Sequence, residues 1–138
     1  MREKIRALTD EDYRALAEFR HALRQFLAFS ETAAARAGLT PVQHQALLAI
    51  KGMPVAAPVS VGNLAQWLGV RHHSCVGLVE RLAGLGLIVK RADPRDRRRV
   101  VVKLTARAER KLARLSAAHR DELRRRSGAL GLLLAAIR

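Results

Sequence analysis

The sequence predicts a mainly α-helical protein with one small β-hairpin, and three observations carry that expectation. Apolar residues recur at spacings of three and four along most of the chain, the period of helices with one buried face. The period changes once, between Leu87 and Leu104, where two β-branched runs flank a polar turn. Helix starts and stops punctuate the chain, with Thr40-Pro41, Ser60 and Thr105 as starts and Gly38, Gly52, Gly69 and Gly86 as stops.

The first helix is predicted to begin at Thr9 or Asp10. Asp10, Glu11 and Asp12 favour the positive end of its dipole, and Leu16, Phe19, Leu23, Phe26 and Leu27 form one apolar stripe. Gly38 ends it. Thr40 caps a second helix with Pro41 in its first turn, and Val42, Ala46, Leu47 and Ile50 give its apolar positions. Residues 53–59, with Pro54 and Pro58, read as a loop. Ser60 then caps a short helix bearing Leu64, Ala65 and Leu68. A further helix from Arg71 has its apolar face at Cys75, Leu78, Val79, Leu82 and Leu85. Two short helices around a Gly-containing turn, the second with a polar leading end, form a helix-turn-helix pattern.

Leu87-Ile88-Val89 and Val100–Leu104 are the predicted strands, and the turn between them carries Asp93-Pro94 and Arg95, Arg97, Arg98 and Arg99. Thr105 caps another long helix with Ala108, Leu112, Leu115 and Leu123 facing inward. After Gly128 an apolar tail of Leu130, Leu132, Leu133, Leu134 and Ile137 predicts a short last helix.

The 138 residues carry 26 Lys and Arg against 12 Asp and Glu, a formal charge of +14. Such an excess repels itself, and a polyanionic partner, nucleic acid or an anionic membrane surface, is its usual reason. One cysteine excludes an intrachain disulfide framework. No apolar run approaches the roughly 20 residues of a membrane span, and no signal core follows Met1-Arg2-Glu3-Lys4, so the cytoplasm is the expected compartment. Paired carboxylates, a glycine-rich phosphate loop and a nucleophile with an evident base are all missing, and an enzyme is not expected.

The chain resembles the MarR family of winged-helix transcriptional regulators over essentially its whole length. Asp93-Pro94-Arg95-Asp96-Arg97-Arg98 matches the family's wing motif and is followed by Val101-Val102-Lys103-Leu104-Thr105. Gly38-Leu39-Thr40-Pro41, Leu64-Ala65-Gln66-Trp67-Leu68-Gly69 and Leu78-Val79-Glu80-Arg81-Leu82 support it. The resemblance implies a winged helix-turn-helix fold and a homodimer that binds a pseudo-palindromic operator in double-stranded DNA. It also implies, for many members, release by a small aromatic or phenolic ligand. Residues 1–138 are then one MarR-type domain, with 9–37 and 105–138 as dimerisation helices and 40–104 as the winged helix-turn-helix core. The N- and C-terminal helices lack enough neighbours in one subunit to cover their apolar stripes, and Tyr13, Leu16, Leu132 and Leu133 are interface candidates.

On this reading Arg71, His72, His73, Ser74, Gly77 and Arg81 belong to the recognition helix. Gly77 offers no side chain to a base edge, and Val76 offers at most contact with a thymine methyl. In the wing, Arg95, Arg97, Arg98 and Arg99 are the DNA-binding residues, and the resemblance singles out Arg98 for the minor groove. Asp96 is expected to orient an arginine through a charge-assisted hydrogen bond. Ser60, Lys90 and Arg91 are candidates for the DNA backbone. A small-molecule pocket would draw on Phe19, Leu23, Phe26, His44 and Leu47, with His21 or Arg20 attracting an anionic group. No cofactor is expected. No metal site is expected either, because His21, His44 and His119 are scattered and no second cysteine joins them. Cys75 reads as a small core hydrophobe. The alternative to an effector-controlled repressor is an effector-independent repressor or a DNA-architectural dimer.

Overall fold

The computed structural model describes residues 6–55, 58–128, 131 and 135. The elements run α1 (Asp10–Arg36), α2 (Pro41–Gly52), α3 (Val61–Leu68), α4 (His72–Gly84), β1 (Ile88–Ala92), β2 (Val100–Leu104) and α5 (Ala106–Arg125). This is the predicted order of four helices, a hairpin and a long helix. Leu130, Leu132, Leu133, Leu134 and Ile137, and with them the expected last helix, lie outside the described residues.

Local chemistry sets the helix ends. Thr9 and Asp12 bond reciprocally at the start of α1: Asp12 N–H donates to Thr9 Oγ1 at 3.2 Å, and Thr9 N–H donates to Asp12 Oδ2 at 2.9 Å. Thr40 with Gln43 and Ser60 with Asn63 make the same box for α2 and α3. Thr105 caps α5, its Oγ1 accepting from Ala108 N–H and donating to the Gly86 carbonyl. Gly38, Gly69 and Gly86 all have positive φ. Each lets the next residue turn back, so that Leu39, Val70 and Leu87 donate to the carbonyls of Ala34, Ala65 and Leu82.

The chain divides into two compact units, Met1–Thr32 with Ala117–Arg138 and Ala33–Ser116, so the boundaries fall inside α1 and α5. The second unit has a contiguous apolar core, including Leu47, Leu64, Leu82 and Leu87, all almost fully buried. Within it β1 and β2 pair antiparallel, from Ile88 opposite Leu104 to Ala92 opposite Val100. Ser60 adds a bridge to Val101, and Val102 N–H donates to the Val59 carbonyl at 2.8 Å. The segment before α3 therefore lies against β2 as a minimal third strand, which ties the hairpin to the helix-turn-helix. Strand β1 reaches Ala92, further than its apolar residues alone predict, because Lys90 and Arg91 pair with Val102 and Val101 across the ladder.

In the first unit, Ala22 is the buried apolar side chain among the described residues, and Leu16, Leu23 and Leu27 of α1 are exposed. Leu123 of α5, expected to face inward, is also exposed. So is Leu85, which lies past the last residue of α4 and so leaves its apolar stripe. His119 is clasped within this unit, with Nε2 2.8 Å from Ser30 Oγ and its ring edge-on to Phe26 and Phe29. Glu122 is buried between Arg125 and Arg126, each 2.7 Å away. The Arg125 hydrogen bond leads the influences that hold its carboxyl below the usual range. No described helix is long and apolar enough to cross a membrane.

Candidate nucleic-acid interface

Several of the interface candidates gather on one side of the winged-helix unit, whereas Arg91 lines a separate cavity with Ile50, Met53 and Pro94. A groove of about 560 Å³ runs between the start of α3, the exposed side of α4 and the hairpin. Ser60, His72, Val76, Glu80, Lys90, Asp96 and Arg98 are among the residues that line it. Helix and wing are thus two walls of one open channel. The side chains of Arg71, His72, His73 and Ser74 are exposed, whereas Cys75, Leu78, Val79 and Leu82 are buried, as the apolar stripe requires. Arg71 is the N-cap residue of α4 and makes no side-chain cap bond. The leading end of that helix is free of the boxes that close α2 and α3, so its first amides remain available to an anion.

Gly77 is not an empty position. A Cβ placed there would meet the Arg81 guanidinium at 3.4 Å, so Arg81 lies back along α4 over the space that Gly77 leaves. A guanidinium, with its forked donors, therefore occupies a position where the sequence offers no side chain. Lys90 and Glu80 are 3.9 Å apart across the groove, which partly offsets the charge of that lysine. Arg91 projects from β1 opposite Val101.

The wing tip is two successive turns stitched by aspartates. Asp96 N–H donates to the Asp93 carbonyl and Arg99 N–H to the Asp96 carbonyl. Asp93 Oδ1 accepts from Arg95 N–H at 2.9 Å, and Asp96 Oδ1 accepts from Arg98 N–H at 3.1 Å. Asp96 thus bonds an arginine through its backbone amide, and an arginine side chain is held by Asp93, whose Oδ2 is 3.2 Å from Arg99 Nη1. The reason is position: Asp93 stands at the mouth of the hairpin, where its own N–H already donates to the Arg99 carbonyl at 2.7 Å. The Arg95 amide chiefly, with Arg99 assisting, holds the Asp93 carboxyl below the ordinary aspartate range. Arg95, Arg97 and Arg98 are exposed, and no side-chain ion pair holds them among the described residues.

Ser60 is also placed more tightly than a free phosphate donor. Its side chain is buried, and its Oγ accepts from Asn63 N–H at 2.9 Å. Asn63 and Asp93 are the residues that sequence reasoning under-used. The Ser-x-x-Asn spacing after Pro58 was the available signal for the first, and the turn at Asp93-Pro94 for the second.

Of the candidate effector residues, Phe19, Leu23 and Phe26 belong to one unit, with the two phenylalanines half-buried and Leu23 exposed. His44 and Leu47 are buried in the core of the other. The cavities described for the winged-helix unit are lined by other residues; one of about 380 Å³ lies between α2 and α3 beside Trp67, which is largely exposed. Cys75 is fully buried, with Sγ 3.6 Å from the Val61 carbonyl, and burial pushes its thiol up, away from the reactive thiolate. Among the described residues no group of three or more His, Cys, Asp or Glu is placed to hold a metal ion.

Residues 37–99, the span from the end of α1 to the wing, match the MarR family. An uncharacterized HTH-type transcriptional regulator, YcgE from Bacillus subtilis (strain 168), is 36% identical over 84 residues. That match takes in 61% of this chain and 53% of YcgE, so the chain spans about half the length of this relative. Among solved structures, CouR from Rhodococcus jostii RHA1 bound to p-coumaroyl-CoA is 25% identical with a TM-score of 0.65, over 88% of this chain and 81% of that one. A MepR F27L mutant from S. aureus, solved bound to an oligodeoxyribonucleotide, has a TM-score of 0.70 over 96% and 100% of the two chains. At 16% identity, that last likeness is one of fold.

Proposed function

The chain belongs to the MarR family of winged helix-turn-helix proteins, and from that premise we propose that it is a transcriptional repressor of the cytoplasm. It binds a pseudo-palindromic operator in double-stranded DNA as a homodimer, and a small aromatic or phenolic effector releases it. The observation that carries this reading is the channel walled by His72 and Val76 of α4 on one side and Asp96 and Arg98 of the wing on the other, with Arg95 and Arg97 exposed at the same tip.

The division of labour follows from groove chemistry. Arg71, His72, His73 and Ser74 present donors and acceptors for base edges in a major groove, and Arg81 fills the gap at Gly77. The wing carries its charge on a narrow tip suited to a minor groove, with Arg98 as the residue that enters it. Lys90 and Arg91 flank the wing for backbone contact, and Ser60 serves chiefly by capping α3. The homodimer is supported by the exposed leucines of α1 and by Tyr13, also exposed. Effector control is supported by CouR, a relative that holds p-coumaroyl-CoA. Phe19, Leu23 and Phe26 of the terminal-helix unit remain proposed for the pocket, whereas His44 and Leu47 are packed inside the winged-helix unit. A DNA-architectural dimer is the second reading, favoured by the apolar Val76 on the exposed side of α4.

A fluorescence anisotropy titration tests the proposal, comparing duplex DNA from upstream of the protein's own gene with a scrambled duplex at several salt concentrations. The regulator reading expects a preference of about 10³ or more for the first duplex, with a steep salt slope. Equal, purely salt-driven binding to both moves the architectural reading ahead.

A further inference from the structure

Arg99 is arranged unlike the other arginines of the wing. Its guanidinium faces the body of the unit: Nη1 is 3.2 Å from Asp93 Oδ2, and Nη2 donates to Asn63 Oδ1 at 2.8 Å and to the Pro58 carbonyl at 3.3 Å. About a third of its side chain is exposed, and the Asp93 carboxylate is 13% exposed. Asn63 Oδ1 is at the same time the acceptor for Ser60 N–H at 3.1 Å, the bond that closes the α3 box. One oxygen thus takes both the cap amide of the helix-turn-helix and the arginine of the wing. The guanidinium joins three places distant in sequence: the base of the wing, the strand-like segment before α3, and the first turn of α3.

The geometry points to Arg99 as a positioning residue for DNA binding: by bridging Asp93, Asn63 and Pro58 it fixes the angle of the wing against α3 and α4. It follows that Asp93, an acidic side chain on a surface for a polyanion, is a requirement for binding. This inference rests on the DNA-binding reading above. A helix and a hairpin that must enter neighbouring grooves together gain from being held at a set angle beforehand, because a loose wing must be ordered at the moment of binding. Only a planar, forked cation reaches three acceptors in different directions, and a lysine in its place keeps the charge but makes fewer of the bonds. Simple electrostatics predicts the opposite for Asp93, since removing a negative charge beside a phosphate backbone tightens binding.

The opposed signs make the test. Full-length parent, Arg99→Lys, Asp93→Asn and the double variant are titrated by anisotropy with a fluorescent A·T-rich duplex, with Arg114→Lys on α5 as the exchange of one exposed cation for another away from the wing. Amide hydrogen exchange across residues 93–99 is measured on the same proteins without DNA. The expected result is that Arg99→Lys and Asp93→Asn each weaken binding about tenfold. The double variant is then no weaker than either, Arg114→Lys stays within about twofold of the parent, and exchange at the wing tip speeds up in both single variants. Tighter binding by Asp93→Asn, or parent-like binding by Arg99→Lys, overturns the inference and returns Arg99 to the ordinary phosphate contacts. A parent that binds no duplex overturns the proposed function instead. The exchange measurement then decides the clamp alone, and unchanged exchange in the variants removes it.

Discussion

In the winged-helix unit the apolar side chains from Ala34 to Leu115 close on one another in a single core, whereas in the terminal-helix unit Ala22 alone is buried among the described apolar residues. The helices of both units have comparable apolar stripes in sequence. The difference is in neighbours: α2, α3, α4 and the hairpin surround one another at short loop lengths, while the outer parts of α1 and α5 leave Leu16, Leu23, Leu27 and Leu123 exposed. An apolar stripe that is buried stabilises the fold, and one that is left open is suited to association. Two kinds of substitution should therefore behave in opposite ways.

The largest effect is expected in the core. Leu82→Ala, at a fully buried position, should cost about 3 kcal/mol of stability in chemical denaturation, because the cavity it leaves is walled on all sides. A loss under about 1 kcal/mol would show that this unit repacks freely. Next, Leu16→Glu with Leu23→Glu should halve the mass seen in sedimentation equilibrium while leaving the far-ultraviolet circular dichroism of the helices in place. A parent of single-chain mass would remove the proposed dimer, and a dimeric parent unchanged by the substitutions would move its contact elsewhere on the chain.

Smaller effects separate the wing from its supports. Arg98→Ala should reduce the salt slope of DNA binding by about one counterion and weaken affinity, most at A·T-rich sites. Acid acts on both units. The carboxyls of Asp93, Asp12 and Glu122 lie below their ordinary values, Asp93 and Asp12 chiefly through backbone amide bonds and Glu122 chiefly through Arg125. Their stabilisation is therefore complete above the unfolded carboxyl range near about pH 4 and is lost as pH falls through the lowered folded-state values. Denaturation midpoints that stay constant from neutral pH down to about pH 2 would contradict this. The smallest change is Thr40→Ala, which opens the box with Gln43 and should cost about 1 kcal/mol in the same denaturation measurement.

The legible part of the molecule was the part written in local chemistry. Thr40-Pro41 and Ser60 begin helices where their hydroxyls can accept the first amides, and Gly38, Gly69 and Gly86 end them where φ must be positive. Those signals act within a few residues, so they can be read from the chain without knowing what lies across from it. The exposed leading end of α4 and the arginine-rich tip were also legible, because an apolar stripe states which side of a helix is left over.

What the sequence by itself determined, then, was the order of the elements, their caps and most of the buried faces of the winged-helix unit, Val42 and Leu85 being exposed, since periodicity and end chemistry are properties of neighbours along the chain. Which like residue does which job was decided only by the tertiary structure. Arg97, Arg98 and Arg99 are the same in sequence, yet only Arg99 meets Asn63, 36 residues away, because the bridge from Ser60 to Val101 brings α3 against the hairpin. Asp93 likewise holds a guanidinium where Asp96 holds a backbone amide, and Arg81 lies over Gly77 rather than beyond it. A side chain's partner depends on what the fold carries to within about 3 Å of it, and a pattern along the chain does not contain that distance.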